Sequence, residues 1–527
     1  MARFETDICI VGGGISAVFL AQKLAELKPD LHITIIEAGK RLFDEENRMN
    51  YRRRSLLYGE NAWPGDFIAD QGGAGVISRT MAVGGSAMHW QGHANRFSEE
   101  DLRLHARYGL ATDWPLEWRE LEKYCCEAER RIGVSGLPSP HPEDKRSEPY
   151  PMPPMPLTYN LAEIQAWAER AGIPFTGCPQ AKNTTAYDGR PECQRCNTCT
   201  VCPTGARYSP DYTYKKLLAN RKITLHDRTL IRRLVVDDGK STVVAAIGSQ
   251  ADRPGEPQEY RARLFVGASG YAWTPHLLLS SRSSRFPNGL ANSSGLVGRF
   301  MTGHYFVTAM MEVNKKLYPG MNEPYPIISR EYFRCASDKP FVRHDIQIFE
   351  SSAGRRPRLK SETGEFLYGD DLMNDWRSRT AKGVARVRMY YDSHPSRDSS
   401  LSLDPANKNH LGDPMPKIVH KLDEASEARE PATLAHIQAV YDRIAKVNGT
   451  KILSVSRSDY QDHPSGGCRM GSVPAQSVCD SYGRTHDHPN LFVVGAPTLP
   501  TGGCTNATIT FVGLTLRSAE HIAGTYS

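Results

Sequence analysis

The chain has 527 residues, 39% hydrophobic and 24% charged, with a formal net charge of +6. That length supports more than one domain around a large buried core. The weak charge argues against nucleic-acid binding. The basic clusters Arg52-Arg53-Arg54 and Arg355-Arg356 with Arg358 and Lys360 also lack the interleaved aromatics of a single-strand groove, and read as solvated loops or anionic-ligand contacts. No run of about 18 apolar residues occurs, so no membrane span is expected. The start of the chain runs straight into a strand pattern, without the basic region and apolar stretch of a secretory signal. A cytoplasmic location is expected, unless the chain is exported on a partner subunit. In such a compartment, clustered cysteines among the 12 present point to metal or redox work rather than disulfides.

The first predicted element is a buried parallel strand, Ile8-Cys9-Ile10-Val11. It leads into Gly12-Gly13-Gly14-Ile15-Ser16-Ala17, a G-x-G-x-x-A pattern. This opens a helix whose apolar residues Ala17, Leu20, Ala21 and Leu24 recur at helical spacing. A second apolar run, Ile33 to Ile36, ends in Glu37. The spacing suits a dinucleotide. Gly12 makes the tight turn, Gly14 lets the backbone approach a pyrophosphate, and Ala17 lets helix and strand pack closely. The helix N-terminus supplies donors, and Glu37 can accept from a ribose hydroxyl. The plain alternative is a tight turn between strand and helix, and this site alone does not separate FAD from NAD.

Next comes Met81-Ala82-Val83-Gly84-Gly85-Ser86-Ala87-Met88-His89-Trp90, followed by Arg96-Phe97. Glycines beside apolar residues permit close backbone approach to a large flat ligand. A helix is expected around Leu116–Arg131, then a proline-rich stretch over Pro151–Pro156. Cys193, Cys196, Cys199 and Cys202 follow at C-x2-C spacing, the last preceding Pro203. Four thiolates so spaced are close to the run that holds a cubane iron–sulfur cluster, with two residues rather than three between the last pair. Tetrahedral zinc and plain disulfides are the rivals, although zinc more often takes two such pairs across a longer loop. Cys125, Cys126 and Cys178 fall outside the spacing and read as buried or free.

Further along stand Ala268–Leu279 with Asn288–Gly298, the block His463-Pro464-Ser465-Gly466-Gly467, the strand pattern Asn490–Ala496, and Thr505-Asn506-Ala507. A histidine before paired glycines is often a turn or core residue. Its unperturbed pKa near 6.5 also suits it to take a hydroxyl proton. A side-chain amide can hold the same oxygen, since it donates and accepts at once.

Together the blocks at Met81–Phe97, Ala268–Gly298 and Asn490–Ala496, with the N-terminal fingerprint, resemble the glucose–methanol–choline oxidoreductases over nearly the whole chain. Asp113-Trp114-Pro115-Leu116, Ala128-Glu129, Gly133–Gly136, Asp404-Pro405 and Gly412-Asp413-Pro414 look like one branch. It comprises gluconate, fructose and glucose dehydrogenase flavoprotein subunits and pyranose oxidases. The resemblance implies an α/β fold: a discontinuous Rossmann-type FAD domain from 1–100, 212–304 and 455–527, and a helical segment with the cysteine loop over 101–211. A substrate domain of antiparallel sheet plus helices is expected over 305–454. It implies FAD held at Gly12, Gly14, Ala17, Glu37, Gly84, Gly85, Ser86, His89, Gly495 and Ala496. His89 either carries the flavin covalently, as in pyranose oxidases, or packs beside it. His463 and Asn506 match the family's catalytic pair, but Ala507 stands where a proline usually follows. Cys193, Cys199 and Cys202 are similar to a three-iron pattern in the glucose and fructose dehydrogenase subunits.

The expected reaction is oxidation of a CH–OH group by hydride transfer to flavin. The carbohydrate-like substrate is a sugar, polyol, aldonate or glycoside, aminoglycosides included. The iron–sulfur cluster is expected to pass electrons singly to an outside acceptor, a quinone or a redox protein; with oxygen as the acceptor the relay is unnecessary and the cluster is structural. An NAD-dependent dehydrogenase, which leaves the C-terminal blocks without a role, and a non-catalytic electron-transfer protein on the same fold are the alternatives.

Overall fold

The computed structural model describes residues 1–41, 80–138, 146–237, 239–318, 325–335, 342–351 and 357–525. The clusters Arg52–Arg54 and Arg355-Arg356 lie outside the described residues. The strands are β1 (Ala2–Val11), β2 (Ile33–Ile36), β3 (Thr176–Gly177), β4 (Ile223–His226), β5 (Thr229–Asp237), β6 (Thr242–Gln250) and β7 (Arg253–Gly267). They continue with β8 (Thr302–Val313), β9 (Ile327–Ser329), β10 (Ile346–Glu350), β11 (Gly383–Tyr391), β12 (Ser400–Lys408), β13 (Pro414–Val419), β14 (Ile452–Ser465) and β15 (Leu491–Val493).

One sheet runs β4-β2-β1-β7-β6-β5, with β15 also on β7. β1 lies parallel between β2 and β7, with Ile8 opposite both Ile33 and Leu264. β15 joins β7 in parallel, while β5, β6 and β7 are antiparallel. Chain from the two ends and the middle thus meets in one sheet. Alternate residues of β1 enter different cores. Ile8 and Ile10 pack under the helices Ile15–Leu27 and Thr508–Thr525, and Cys9 and Val11 pack with Phe265, Leu277 and Val493. Burial on both faces is why the strand reads as an unbroken apolar run.

A second, antiparallel sheet runs β14-β8-β11-β10-β9-β3. Its back face, including Ala309, Met311, Ile348, Val387 and Met389, packs on the helix Glu424–Asn448 through Ile437, Val440, Tyr441 and Ile444. Because strand side chains alternate, Arg386, Arg388 and Tyr390 leave the opposite face of β11. The α/β class with a Rossmann-type sheet and an antiparallel second sheet matches the sequence expectation. The expected edges at 305 and 455 fall inside β8 and β14, both strands of the second sheet. The helix expected over Leu116–Arg131 spans Trp118–Ile132. Among the described residues no helix is long and apolar enough to cross a membrane.

Candidate active site

A cavity of about 610 Å³ lies between the two sheets, lined by residues of both. It is in the size range of small-molecule and cofactor sites. Its floor is the edge where β1, β2 and β7 end, the place where parallel sheets bind ligands. At Gly12, φ is +104°, and a Cβ there would stand 2.6 Å from the Ala268 backbone. The turn therefore demands glycine. Gly14 differs: φ is −74°, and its Cβ would meet no atom nearer than Ala268 O at 4.0 Å. The space beside it is open cavity. Ala17 is fully buried in the helix–sheet core and does its work through packing.

Glu37 is buried at the same end. Its Oε2 accepts from Gly13 N at 2.6 Å and its Oε1 from Gly39 N at 2.8 Å. Burial pushes the carboxyl up to about 7 although these N–H groups pull the other way. Gly84, Gly85, Ser86, His89, Gly495 and Ala496 all line the cavity, and Gly84 N donates to Gly13 O at 2.7 Å. His89 Nε2 lies 2.6 Å from the Thr80 hydroxyl. Burial, then the Arg207 charge, pulls this imidazole down to about 4, leaving it neutral at pH 7. The loop is braced by buried Arg207, which donates to Ala87 O at 3.1 Å and Met88 O at 2.8 Å.

At the other end the second sheet delivers His463, at the close of β14, with φ +53°. A non-glycine residue there is strained by roughly 1–3 kcal/mol. The paired glycines that follow let the chain pass under the segment before β8. A Cβ at Gly466 would stand 2.2 Å from Phe300 O. Asn506 precedes the helix Thr508–Thr525, and its Nδ2 donates to His463 Nε2 at 2.7 Å. Asn506 Oδ1 accepts from Asn95 Nδ2 at 2.9 Å and from Gln347 Nε2 at 3.3 Å. These two amides hold the Asn506 side chain.

Buried His304 completes the chain. Its Nε2 lies 3.1 Å from Gly502 O and its Nδ1 2.9 Å from His463 Nδ1. A carbonyl only accepts, so for neutral rings the network puts the His304 proton on Nε2 and makes its Nδ1 an acceptor. His463 therefore donates through Nδ1, and its unprotonated Nε2 accepts from Asn506 Nδ2. His304, Asn95 and Gln347 escaped the sequence reading. Asn95 adjoins the Arg96-Phe97 block, but nothing local marks the other two.

Other motif residues tie the site together. Arg96 pairs with Glu129 at 2.6 Å and Glu122 at 2.7 Å, and Trp114 Nε1 donates to Thr501 Oγ1 at 2.9 Å. Asp413 takes Arg232 through two bonds of 2.7 Å at the cavity wall.

The cysteine run departs from expectation. Cys202 is buried, Cys193 and Cys199 are half-buried and Cys196 is exposed, none of them in a disulfide. Among the described residues no three His, Cys, Asp or Glu side chains gather as metal ligands. As placed, the four thiols do not fit an iron–sulfur cluster. Sequence spacing sets how far the thiols can reach, whereas gathering them requires the loop to close on itself. Here Cys202 accepts from Arg207 N at 3.4 Å and Cys196 bonds Thr198 Oγ1 at 2.9 Å.

Residues 385–515 match the family model described as GMC oxidoreductase. The chain is 30% identical to the fructose dehydrogenase large subunit of Gluconobacter japonicus, over 98% of each chain. It is 28% identical to the paromamine 6'-oxidase of Streptomyces fradiae, over 98% of this chain and 91% of that one. Among solved structures, the formate oxidase of Aspergillus oryzae RIB40 superposes with a TM-score of 0.66 at 15% identity. That match covers 100% of this chain and 99% of the other, and shows the shared fold. The two-sheet fold, the His463–Asn506 pair and full-length similarity to a fructose dehydrogenase subunit agree, and the chain belongs to the glucose–methanol–choline family of oxidoreductases.

Proposed function

We propose that the chain oxidises a CH–OH group of a sugar, polyol or glycoside with FAD bound in the cavity. Fructose and paromamine, named for its relatives, fall within that class. The residues present fit FAD. The open space at Gly14 and the helix N-terminus suit the pyrophosphate, Glu37 the ribose, and the walls at Gly84–Ser86, His89, Gly495 and Ala496 the ring system. In this reading segments 1–100, 212–304 and the C-terminal stretch carry the cofactor, and the second sheet caps the substrate.

Bound FAD supplies the two-electron acceptor. The substrate hydroxyl displaces the Asn506 N–H from His463 Nε2, which takes the hydroxyl proton; Asn506 Nδ2 then donates to the substrate oxygen, and the C–H electron pair leaves with its hydrogen as the carbonyl forms. The hydrogen-bonded order from Gly502 through His304 to His463 carries this assignment, because it leaves Nε2 unprotonated. The Thr80 contact at His89 Nε2 favours flavin held without a covalent bond. Acid precipitation of the holoprotein tests this, and flavin remaining with the pellet would refute it.

The iron–sulfur relay rests on cysteine spacing alone, and no step is routed through it. Three or four irons with matching sulfide in protein purified without air would establish it, and one zinc with no iron would end it. For the reaction itself, the expected result for His463→Ala is FAD retained and flavin reduction slowed by ~10²–10⁴. Near wild-type reduction kinetics would sink the assignment.

A further inference from the structure

Asp345 immediately precedes β10, is buried, and lies outside the lining of the cavity. Three donors converge on its carboxylate. Gln347 Nε2 donates to Oδ2 at 2.7 Å, the Thr505 hydroxyl donates to the same oxygen at 3.2 Å, and Tyr390 N donates to Oδ1 at 3.2 Å. An ionised carboxylate accepts all three, whereas a protonated acid or a carboxamide turns one acceptor position into a donor.

Two of these donors lead to Asn506. The same Gln347 Nε2 donates to Asn506 Oδ1 at 3.3 Å, and Gln347 Oε1 accepts from Arg388 Nη2 at 3.1 Å. With a carboxylate on its nitrogen and a guanidinium on its oxygen, the Gln347 amide has one orientation, and that orientation presents an N–H to Asn506. Thr505 is the residue before Asn506 in the chain. The Asn506 amide is thereby set with Oδ1 toward Gln347 and Asn95 and Nδ2 toward His463 Nε2. The third donor belongs to Tyr390, whose ring packs on His304 and His463 with centroids 4.8 and 5.6 Å away.

We infer that Asp345 is a positioning residue: its ionised carboxylate, acting through Gln347 and Thr505, fixes the Asn506 amide that holds the substrate oxygen. This rests on the oxidoreductase reading and deepens it. Arg388 on β11 and the thiols of Cys178 and Cys504 face the carboxylate. Burial pushes both thiols up, which keeps them neutral. Burial also pushes Asp345 up to about 7, against the pull of its three donors and of Arg388. The carboxylate is therefore an anion that holds the amides above pH 7, and takes up a proton below it.

The test is stopped-flow flavin reduction of the FAD-loaded enzyme at pH 5 and pH 8, with fructose, gluconate and paromamine each used as the probe. At pH 8, Asp345→Asn should slow reduction about 5- to 30-fold, the difference between a charge-assisted and a neutral hydrogen bond. At pH 5 the wild type is itself protonated, and the two rates should agree to within about twofold. Titration of His463 is common to both enzymes and cancels from the ratio. A ratio that is the same at both pH values, or no loss at pH 8 with full FAD content, would overturn the inference, because loosened packing slows both equally. Combining D345N with Gln347→Glu restores a donor–acceptor match between these two side chains but removes the N–H given to Asn506. The double variant should regain melting temperature and still reduce its flavin slowly at pH 8; recovery of the rate with the stability would show a merely structural role. Should D345N fail to fold, the double variant decides by the same outcomes. If none of the three probes bleaches the flavin, the oxidation reading fails instead, and a crystal structure of the D345N holoprotein decides the positioning. Asn506 moved off His463 supports it, and an unchanged contact between them refutes it.

Discussion

Replacing His304 by leucine isolates the tautomer control of His463 from the loss of the base itself. His304 is fully buried behind His463, and its Nδ1 lies 2.9 Å from His463 Nδ1. A net hydrogen bond of about 0.5–1.5 kcal/mol holds the His463 proton on Nδ1. With about 1.4 kcal/mol per tenfold in rate, its loss lowers the productive fraction by about 2- to 12-fold. That is far short of the ~10²–10⁴ expected for removing a general base. Leucine also leaves Gly502 O without its donor, at a cost of about 1–3 kcal/mol in stability. The assay is stopped-flow flavin bleaching at saturating substrate, alongside a thermal melt and the FAD content. H304L should keep FAD and substrate affinity but reduce its flavin more slowly. H304N, whose side-chain oxygen can take the place of Nδ1, should recover much of the rate. An unchanged rate in H304L, a loss as large as that of H463A, or an H304N no faster than H304L would refute tautomer control.

Two further outcomes follow from the nucleotide end. Gly14→Val should fold yet purify without flavin, because its side chain enters open cavity rather than protein; a yellow, active G14V would place the cofactor elsewhere. The pH dependence of the apoprotein should differ between wild type and Glu37→Gln. Burial raises the folded-state pKa of Glu37 to about 7, so the unfolded chain ionises first as pH rises. The contribution of Glu37 is full below the ordinary carboxylate range and is lost as pH passes through 7, on the order of 3 kcal/mol. Urea midpoints at pH 5 and pH 8 should therefore show wild type losing ground to E37Q, and a constant difference between them would contradict the burial argument.

The nucleotide end was legible in the sequence because its demands are local. Gly12 needs a conformation that a side chain forbids, Ala17 needs a small side chain against a strand, and Glu37 follows its strand directly. Val11, Ile36 and the helix after Gly14 are neighbours along the chain as well as in space. His463 before its glycine pair was equally visible, since Gly466 answers a close backbone approach.

Only the tertiary structure decided what surrounds that histidine. Asn95 and Asn506 are 411 residues apart, and His304 and His463 are 159 apart, yet each pair shares a hydrogen bond. No local rule marks such partners, because a buried polar group is satisfied by whatever the sheets bring beside it. The second sheet drew β8 and β14 across the expected edges because β14 pairs antiparallel with β8, and β8 with β11, which buries the apolar face of β8 on the helix Glu424–Asn448. The same alternation turned Arg386 and Arg388 into the cavity, a direction that depends on which face of β11 the core takes. Cysteine spacing, by contrast, is a sequence property that leaves the loop's closure undecided. The sequence by itself determined where the backbone turns and packs too closely for a side chain, and tertiary packing decided which distant side chains surround His463.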